Sequence, residues 1–193
     1  MISFSINLLL CSILCILVNT STQQTVHRPQ KDGSVPFWEY GGNAIASGQS
    51  VRLPPSLRSQ KGAIWTKQPI NFDWWEVEVM FKITGRGRIG ADGLAFWYTT
   101  QRGDYTGDVF GSSDRWNGLA VIFDSFDNDN KHNNPYIMAL LSGCLRDFRN
   151  KPFPTRARIE YYMNTLTVYF HNGEWLGVLS LRGCRWVISG SVT

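Results

Sequence analysis

Residues 75–83 constrain the fold of this chain more than any other part of its sequence. Their apolar and polar side chains alternate, with Val77, Val79, Phe81 and Ile83 in one phase and Glu76, Glu78, Met80 and Lys82 in the other. A period of two is that of a β-strand, whose successive side chains point to opposite faces. A strand with one apolar face must bury that face against a second layer. We therefore expect a strand here and a layered sheet structure around it.

Further strands follow at short intervals along the chain. Apolar runs with aromatic residues at 94–98 and 119–126 predict strands that are covered on both faces, and residues 136–141 predict another. Residues 157–161 alternate again, and a turn at Met163-Asn164 leads to a hairpin partner at 165–170. Eight Trp and 18 Gly also favour pleated surfaces and tight turns. Because helical patterns are scarce, the sequence predicts an antiparallel β-sandwich.

The N-terminus has the pattern of a targeting segment. Residues 2–18 are uncharged and rich in Leu and Ile, and polar residues follow at 19–24. Such a run is typical of a signal peptide and is short for a membrane span, which needs about 20 apolar residues. The first seven residues contain no Lys or Arg, which leaves an uncleaved anchor as the alternative. We predict a signal peptide at 1–22, one soluble domain at 23–193 and no transmembrane helix.

Charge and two short motifs indicate which chemistries to expect. The net charge is +4 and the basic residues are dispersed, so we expect no nucleic-acid partner. Residues 85–90 match G-x-G-x-x-G, but an apolar strand follows where a dinucleotide site needs a helix. Glu76 and Glu78 share one face of the predicted strand, as paired carboxylates of a glycosidase could. Since Val77 and Val79 occupy the core phase, we expect both carboxylates to face water and the protein not to be an enzyme.

The most informative polar segment is residues 124–134, DSFDNDNKHNN, directly after an apolar strand. Three carboxylates crowd this loop, and their repulsion is relieved when a cation binds. Carboxylate and amide oxygens are the ligands of calcium rather than of zinc or copper. An EF-hand does not fit, because Lys131 would occupy a ligand position and no glycine follows. An Asx-rich surface turn is the alternative to a calcium site.

Around this loop the sequence resembles the animal L-type (leguminous-type) lectins, including those of the ER–Golgi intermediate compartment. The matching text comprises DGSVPFW (32–38), GNAI (42–45), SLRSQKGAIWTK (56–67), WEVEV (75–79), TGRGRIGADGLAFWY (84–98), WNGLAVIFDSFDND (116–129), CLRDFRNKP (144–152) and YYMNTLTV (161–168). Clear resemblance covers residues 32–173, and residues 174–193 remain unassigned. The resemblance implies an all-β, concanavalin-like antiparallel β-sandwich (jelly roll), incomplete at its C-terminal side.

The resemblance also implies a function and a set of site residues. It implies calcium-dependent binding of high-mannose N-glycans on cargo glycoproteins that move from the ER to the Golgi. Asp92 and Asn128 would bind the sugar. The calcium ligands would be Asp124, the Phe126 carbonyl and Asn128 at one ion, and Asp127, Asp129, Asn133 and Asn134 at a second. It further implies a disulfide between Cys144 and a downstream cysteine, here Cys184.

Two departures from the family pattern bear on sugar binding. The family places a polar segment with a histidine and an aspartate after its acidic loop, whereas here residues 138–142 run almost directly into Cys144. The family's pocket-closing Gly-Gly-Leu loop has no counterpart after Gly173. We therefore expect weak mannose binding, with a scaffold that no longer binds sugar as the alternative. The resemblance also implies a lumenal location in the secretory pathway (ER, intermediate compartment and Golgi), a soluble EF-hand calcium protein as partner, and membrane anchorage in full-length relatives.

Overall fold

A computed structural model describes most of the chain. The described residues are 3–7, 24–25, 33–48, 50–70, 73–85, 92–105, 107–112, 116–128, 130–132, 134–139, 142–145, 151–171 and 175–182. These residues form strands and contain no α-helix. The part of the chain so described therefore has no helix that could cross a membrane.

Fourteen strands are present in the described residues. They are β1 (Ser3–Asn7), β2 (Gln24–Thr25), β3 (Trp38–Gly42), β4 (Ile45–Ser47), β5 (Ser50–Arg52), β6 (Gly62–Thr66), β7 (Trp75–Phe81), β8 (Gly93–Thr99), β9 (Gly118–Asp124), β10 (Tyr136–Ala139), β11 (Ser142–Leu145), β12 (Thr155–Tyr162), β13 (Thr165–His171) and β14 (Trp175–Arg182). A six-stranded sheet has the order β14-β13-β12-β7-β1-β2, and a four-stranded sheet has the order β11-β10-β9-β8. Two smaller pairs, β3-β6 and β4-β5, complete the set, and the strand pairs are antiparallel.

The core lies between the two larger sheets. From β7, Val77, Val79 and Phe81 are buried in the predicted phase. Phe81 meets Phe123 of β9 with ring centroids 4.8 Å apart, which joins the sheets face to face. Each fully buried side chain of this size contributes about 1.5–3 kcal/mol. The alternation in the sequence thus decided which face of the sheet became the core, and the predicted all-β sandwich is confirmed.

The hairpin between β12 and β13 confirms the predicted turn. Met163 and Asn164 both have positive φ, 45° and 58°, and Tyr162 pairs with Thr165 across the turn. Two consecutive residues with positive φ give a turn whose twist matches that of the flanking strands. The turn therefore fixes the register that buries Ile159 against the same core as Val168.

Two predicted strands differ from expectation in detail. The run at 94–98 forms β8, yet only Leu94 in it is buried, because β8 is the last strand of its sheet. The run at 119–126 ends as a strand at Asp124. The Asp124 side chain accepts a hydrogen bond from the backbone N–H of Phe126, a local bond that turns the chain out of the sheet.

At the N-terminus, β1 pairs with both β2 and β7. The predicted signal peptide at 1–22 includes these β1 residues, and cleavage would remove β1 and open the edge of β7. The signal peptide and the boundaries of the 23–193 domain stay predictions.

Candidate functional site

Asp92 is held beside the end of β9 by its own backbone. Its carbonyl accepts hydrogen bonds from the backbone N–H of Ser125 at 2.8 Å and from the Ser125 hydroxyl at 3.1 Å. Gly93 makes this approach possible, since it has φ +145° and an added Cβ would lie 2.1 Å from the Phe123 carbonyl oxygen. Asp92 itself is exposed. The bonds thus fix the position of the residue and leave its carboxylate facing outward.

Asp124 provides the second carboxylate, at the last position of β9 and opposite Gly93 in the sheet. Its Oδ1 accepts from the Phe126 N–H at 2.9 Å. Partial burial raises the pKa of the Asp124 carboxyl above its usual value, and the charges of Asp92 and Asp127 add to the rise. Hydrogen bonds from Phe126 and Asn134 act in the opposite direction. The charges of Asp92 and Asp127 are thus close enough to disfavour the ionised form of Asp124.

Asn134 closes the loop from its far end. Its side-chain amide donates to the Phe126 carbonyl at 2.7 Å and reaches the Asp124 carbonyl at 3.4 Å. A carbonyl oxygen has two lone pairs, so the Phe126 oxygen keeps one for a further partner. Asn134 therefore brings two of the predicted ligand positions together.

Asp127 is a partly buried carboxylate of the loop, with a side chain that is 21% exposed. Its Oδ2 accepts from the His132 N–H at 2.8 Å, while its Oδ1 is buried without a hydrogen-bond partner among the described residues. An unpaired buried carboxylate oxygen is costly, on the order of 1–3 kcal/mol or more. His132 has positive φ, 56°, and an almost fully exposed side chain. Its ring Nδ1 also lies 3.6 Å from Oδ2 of Asp127, so both the backbone and the ring of His132 lie next to this carboxylate.

Three of the predicted site residues remain to be placed. Asn128 is exposed, next to Asp127 in the chain. Asp129 and Asn133 lie outside the described residues. Of the predicted set, Asp92 and Asp127 are close enough for their charges to raise the pKa of Asp124, and Asn134 donates a hydrogen bond to the Phe126 carbonyl.

The donor set of the described loop fits a hard cation. Partly buried carboxylates, a carbonyl and amide oxygens are calcium ligands, and Oδ1 of Asp127 is an acceptor in need of a positive partner. No group of three His, Cys, Asp or Glu side chains converges as a metal site within the described residues. Carbonyl and amide oxygens would therefore have to complete the coordination.

Sequence reasoning missed Ser125 and Gly93 as parts of the site. Ser125 is buried, and its two hydrogen bonds to Asp92 connect segments 33 positions apart. A single sequence does not show which distant segments lie next to each other, so this contact could not be predicted. For Gly93 the sequence did carry a signal, because this glycine lies between an aspartate and an apolar strand. A glycine at such a position indicates that another backbone segment approaches closely.

Glu76 and Glu78 lie on the outer face of the six-stranded sheet, as predicted. Glu78 lies 3.8 Å from Arg156, and Glu76 lies 3.9 Å from Arg158 of the neighbouring β12. Their positions in β7 alternate with the buried Val77 and Val79. This arrangement is a cross-strand ion-pair ladder, typical of a solvated sheet face.

Three other predictions fall partly or wholly outside the described residues. These are the glycine run at 86–90, Cys184, and the side chain of Cys144, of which the backbone in β11 is described. The disulfide stays a prediction.

A family model described as the legume-like lectin family matches residues 19–143 and 138–185. The chain is 53% identical over 165 residues to human protein ERGIC-53, covering 76% of this chain and 32% of that protein. It is 34% identical over 177 residues to human vesicular integral-membrane protein VIP36, covering 79% of this chain and 49% of that protein. The chain therefore spans a third to a half of the length of these curated relatives.

Solved structures of lectin domains have a similar fold. The VIP36 exoplasmic/lumenal domain in its Ca²⁺/Man-bound form gives a TM-score of 0.75 at 33% identity, covering 82% of this chain and 75% of that chain. The legume lectin-like domain from Entamoeba histolytica gives 0.60 at 16% identity, covering 77% of this chain and 76% of that chain, which supports the fold alone. With the sequence match and the sandwich fold in agreement, this chain belongs to the legume-like lectin family.

Proposed function

We propose that this chain is a calcium-dependent lectin that binds high-mannose glycans of glycoproteins in the lumen of the secretory pathway, without enzymatic activity. Its family supports a carbohydrate-binding role. Relatives have been solved with calcium alone and with calcium and mannose.

The observation that carries the proposal is the buried, unpartnered Oδ1 of Asp127 within a loop of clustered carboxylates. One calcium ion would be held by Asp124, the Phe126 carbonyl and Asn128, and a second by Asp127, Asp129, Asn133 and Asn134. The ions would supply positive charge that fixes the loop. The loop's own hydrogen bonds, above all those of Asn134, already set its shape.

Sugar recognition would use the exposed groups next to the loop. Asp92 presents an exposed carboxylate, an acceptor for sugar hydroxyls. Asn128 presents an amide with both donor and acceptor atoms. Ser125 fixes the Asp92 backbone, which lowers the entropy cost of binding at that residue.

A second candidate function is a scaffold that keeps the fold without measurable sugar binding. Ala139 of β10 pairs with Ser142 of β11, so only residues 140–141 connect the two strands. The histidine–aspartate segment expected from the family has no place in this connection. Whether the chain binds sugar measurably depends on how much affinity Asp92 and Asn128 provide without that segment.

Roles that involve a whole transport receptor are a further part of the proposal. They include capture of cargo glycoproteins between ER and Golgi, and binding of a soluble EF-hand calcium protein. Their support is the similarity to ERGIC-53, of which this chain matches 32%.

The decisive test is calorimetric titration of the chain with a mannose oligosaccharide in calcium and in EGTA. We expect binding in calcium that disappears in EGTA and in Asp92→Ala. Asp108→Ala, at an exposed aspartate paired with Lys61, is the matched control and should bind normally. Binding that persists in EGTA would contradict calcium dependence, and no binding in calcium would favour the scaffold candidate.

A further inference from the structure

A cleft of about 890 Å³ is lined by every residue of β6 and of β8. In β8 this includes both alternating phases, Leu94 and Phe96 from one and Ala95 and Trp97 from the other. A cleft against one face of a strand would be lined by a single phase, because successive side chains point to opposite faces. The cleft therefore runs along the edge of β8, where the backbone is presented.

Within the described residues, each of these two strands has one partner strand. β8 pairs with β9, and β6 pairs with β3. The other edge of such a strand presents N–H and C=O groups at alternate residues and is a template for a further strand. Lipids and compact small molecules lack that repeat of donors and acceptors. An extended polypeptide backbone is therefore the class of ligand that fits this cleft.

β6 and β8 finish at the same end of the cleft. The Tyr98 hydroxyl, near the end of β8, donates to the carbonyl of Ile70, which lies beyond the end of β6, at 3.5 Å. Trp65 of β6 lies against Gly103, beyond the end of β8, where an added Cβ would be 3.2 Å from Cζ2 of Trp65. The two strands therefore run in the same direction. One strand that runs the opposite way is antiparallel to both, which is the slightly more stable pairing.

The floor and the ends of the cleft indicate which side chains such a strand carries. Trp75 and Val77, each at most 5% exposed, contribute an apolar floor. Asp92 directly precedes β8 and Lys67 directly follows β6, and both line the cleft and are exposed. Because both strands finish at the same end, the carboxylate and the ammonium group lie at opposite ends. The cleft thus has an apolar middle, one negative end and one positive end.

We propose that this cleft binds an extended segment of another polypeptide, which adds as a strand antiparallel to β6 and β8. The segment has apolar side chains at alternate positions, above Trp75 and Val77. It has an acidic residue at its N-terminal end, beside Lys67, and a basic residue at its C-terminal end, beside Asp92. In strand addition, main-chain hydrogen bonds give affinity and alternate side chains give specificity. Since it concerns backbone pairing, this binding does not depend on the proposed sugar binding.

Calorimetric titration of the full chain in EGTA, without sugar, tests the proposal with the synthetic peptide Glu-Val-Thr-Val-Thr-Val-Lys. The charge-exchanged peptide Lys-Val-Thr-Val-Thr-Val-Glu should bind about tenfold more weakly, since both of its ends meet like charges. Lys67→Glu should weaken binding of the first peptide about fivefold and strengthen binding of the second. Lys82→Glu makes the same charge change at a lysine that donates to the Pro152 carbonyl. This matched control should leave both affinities unchanged.

Amide hydrogen exchange followed by NMR locates the bound peptide. The alternate amides of β6 and β8 that point away from β3 and β9 should exchange rapidly in the free chain. With the peptide bound, they should exchange at least about tenfold more slowly. Amides of β13, which pairs with both β12 and β14, serve as the control and should not respond.

Four results would overturn the proposal. They are failure of the first peptide to bind, equal affinity of the wild-type chain for the two peptides, and slow exchange of the cleft-facing amides without peptide, either at every protein concentration or only at high concentration. The third result would mean that the chain itself covers the cleft, and the fourth that a second copy does. Peptide binding without any mannose binding in calcium would contradict the proposed function and leave this inference in place.

Discussion

The backbone N–H of His132 donates to Oδ2 of Asp127 at 2.8 Å, while Oδ1 of the same carboxylate is buried with no hydrogen-bond partner in the described structure. One half of the carboxylate thus closes the loop and the other half is available to a ligand. A cation is the partner that offsets both the lost hydration and the nearby negative charge.

Calcium should therefore raise the thermal stability of the chain. A ligand specific to the folded state, present at about 100 times its dissociation constant, adds about 2.7 kcal/mol. For a domain of this size the midpoint should rise by about 5–10 °C. Calorimetry in calcium and in EDTA measures the shift. Asp127→Asn should remove most of it and Asp108→Asn should retain it, whereas equal midpoints in calcium and EDTA would contradict the calcium site.

Ser125 should act as a positioning residue for Asp92. Its hydroxyl donates to the Asp92 carbonyl at 3.1 Å, and Ser125→Ala removes that bond while the backbone bond remains. A net hydrogen bond is worth about 0.5–1.5 kcal/mol, so mannose affinity should fall about two- to tenfold with the calcium-induced midpoint shift retained. Ser47→Ala, whose hydroxyl bonds within its own turn, is the control. Loss of the calcium shift in Ser125→Ala would instead assign Ser125 to the metal site.

The sequence predicted those parts of the fold that depend on local periodicity. The alternation at Val77, Val79 and Phe81 predicted their burial, and the Met163-Asn164 pair predicted the hairpin. Relations between distant segments were not readable in this way. The bond between Ser125 and Asp92 joins segments 33 positions apart and depends on strand order, which a single sequence does not encode locally.

The contact between Phe81 and Phe123 should be a main support of the sandwich. Both are at most 1% exposed, and their rings join the two sheets. Phe81→Ala and Phe123→Ala should each lower the free energy of unfolding by about 3–5 kcal/mol. Phe153→Ala, at a residue that is 52% exposed, should change it by about 0.5 kcal/mol or less. Urea unfolding measures all three, and equal losses would refute the role of this contact.

Glu78 should be dispensable, which tests the glycosidase alternative. Its ion pair with Arg156 lies on the outer sheet face, with side chains 32% and 52% exposed. Exposed pairs of this kind contribute about 0–1 kcal/mol. Glu78→Gln should therefore change urea stability little, and the wild-type chain should hydrolyse no mannoside. Mannoside turnover that is lost in Glu78→Gln would instead support an enzyme.

Mannose should bind this chain more weakly than it binds the VIP36 lumenal domain. Sugars are held by several hydrogen bonds, each worth about 0.5–1.5 kcal/mol net. In this chain the direct pairing of Ala139 with Ser142 leaves a two-residue connection at the place of the family's histidine–aspartate segment. Loss of one or two such bonds reduces affinity by about tenfold, and a less firmly held calcium would leave Asn128 poorly fixed. Side-by-side titration of the two domains with the same mannose oligosaccharide at saturating calcium measures the difference. Equal affinities would mean that residues outside the acidic loop replace the missing contacts.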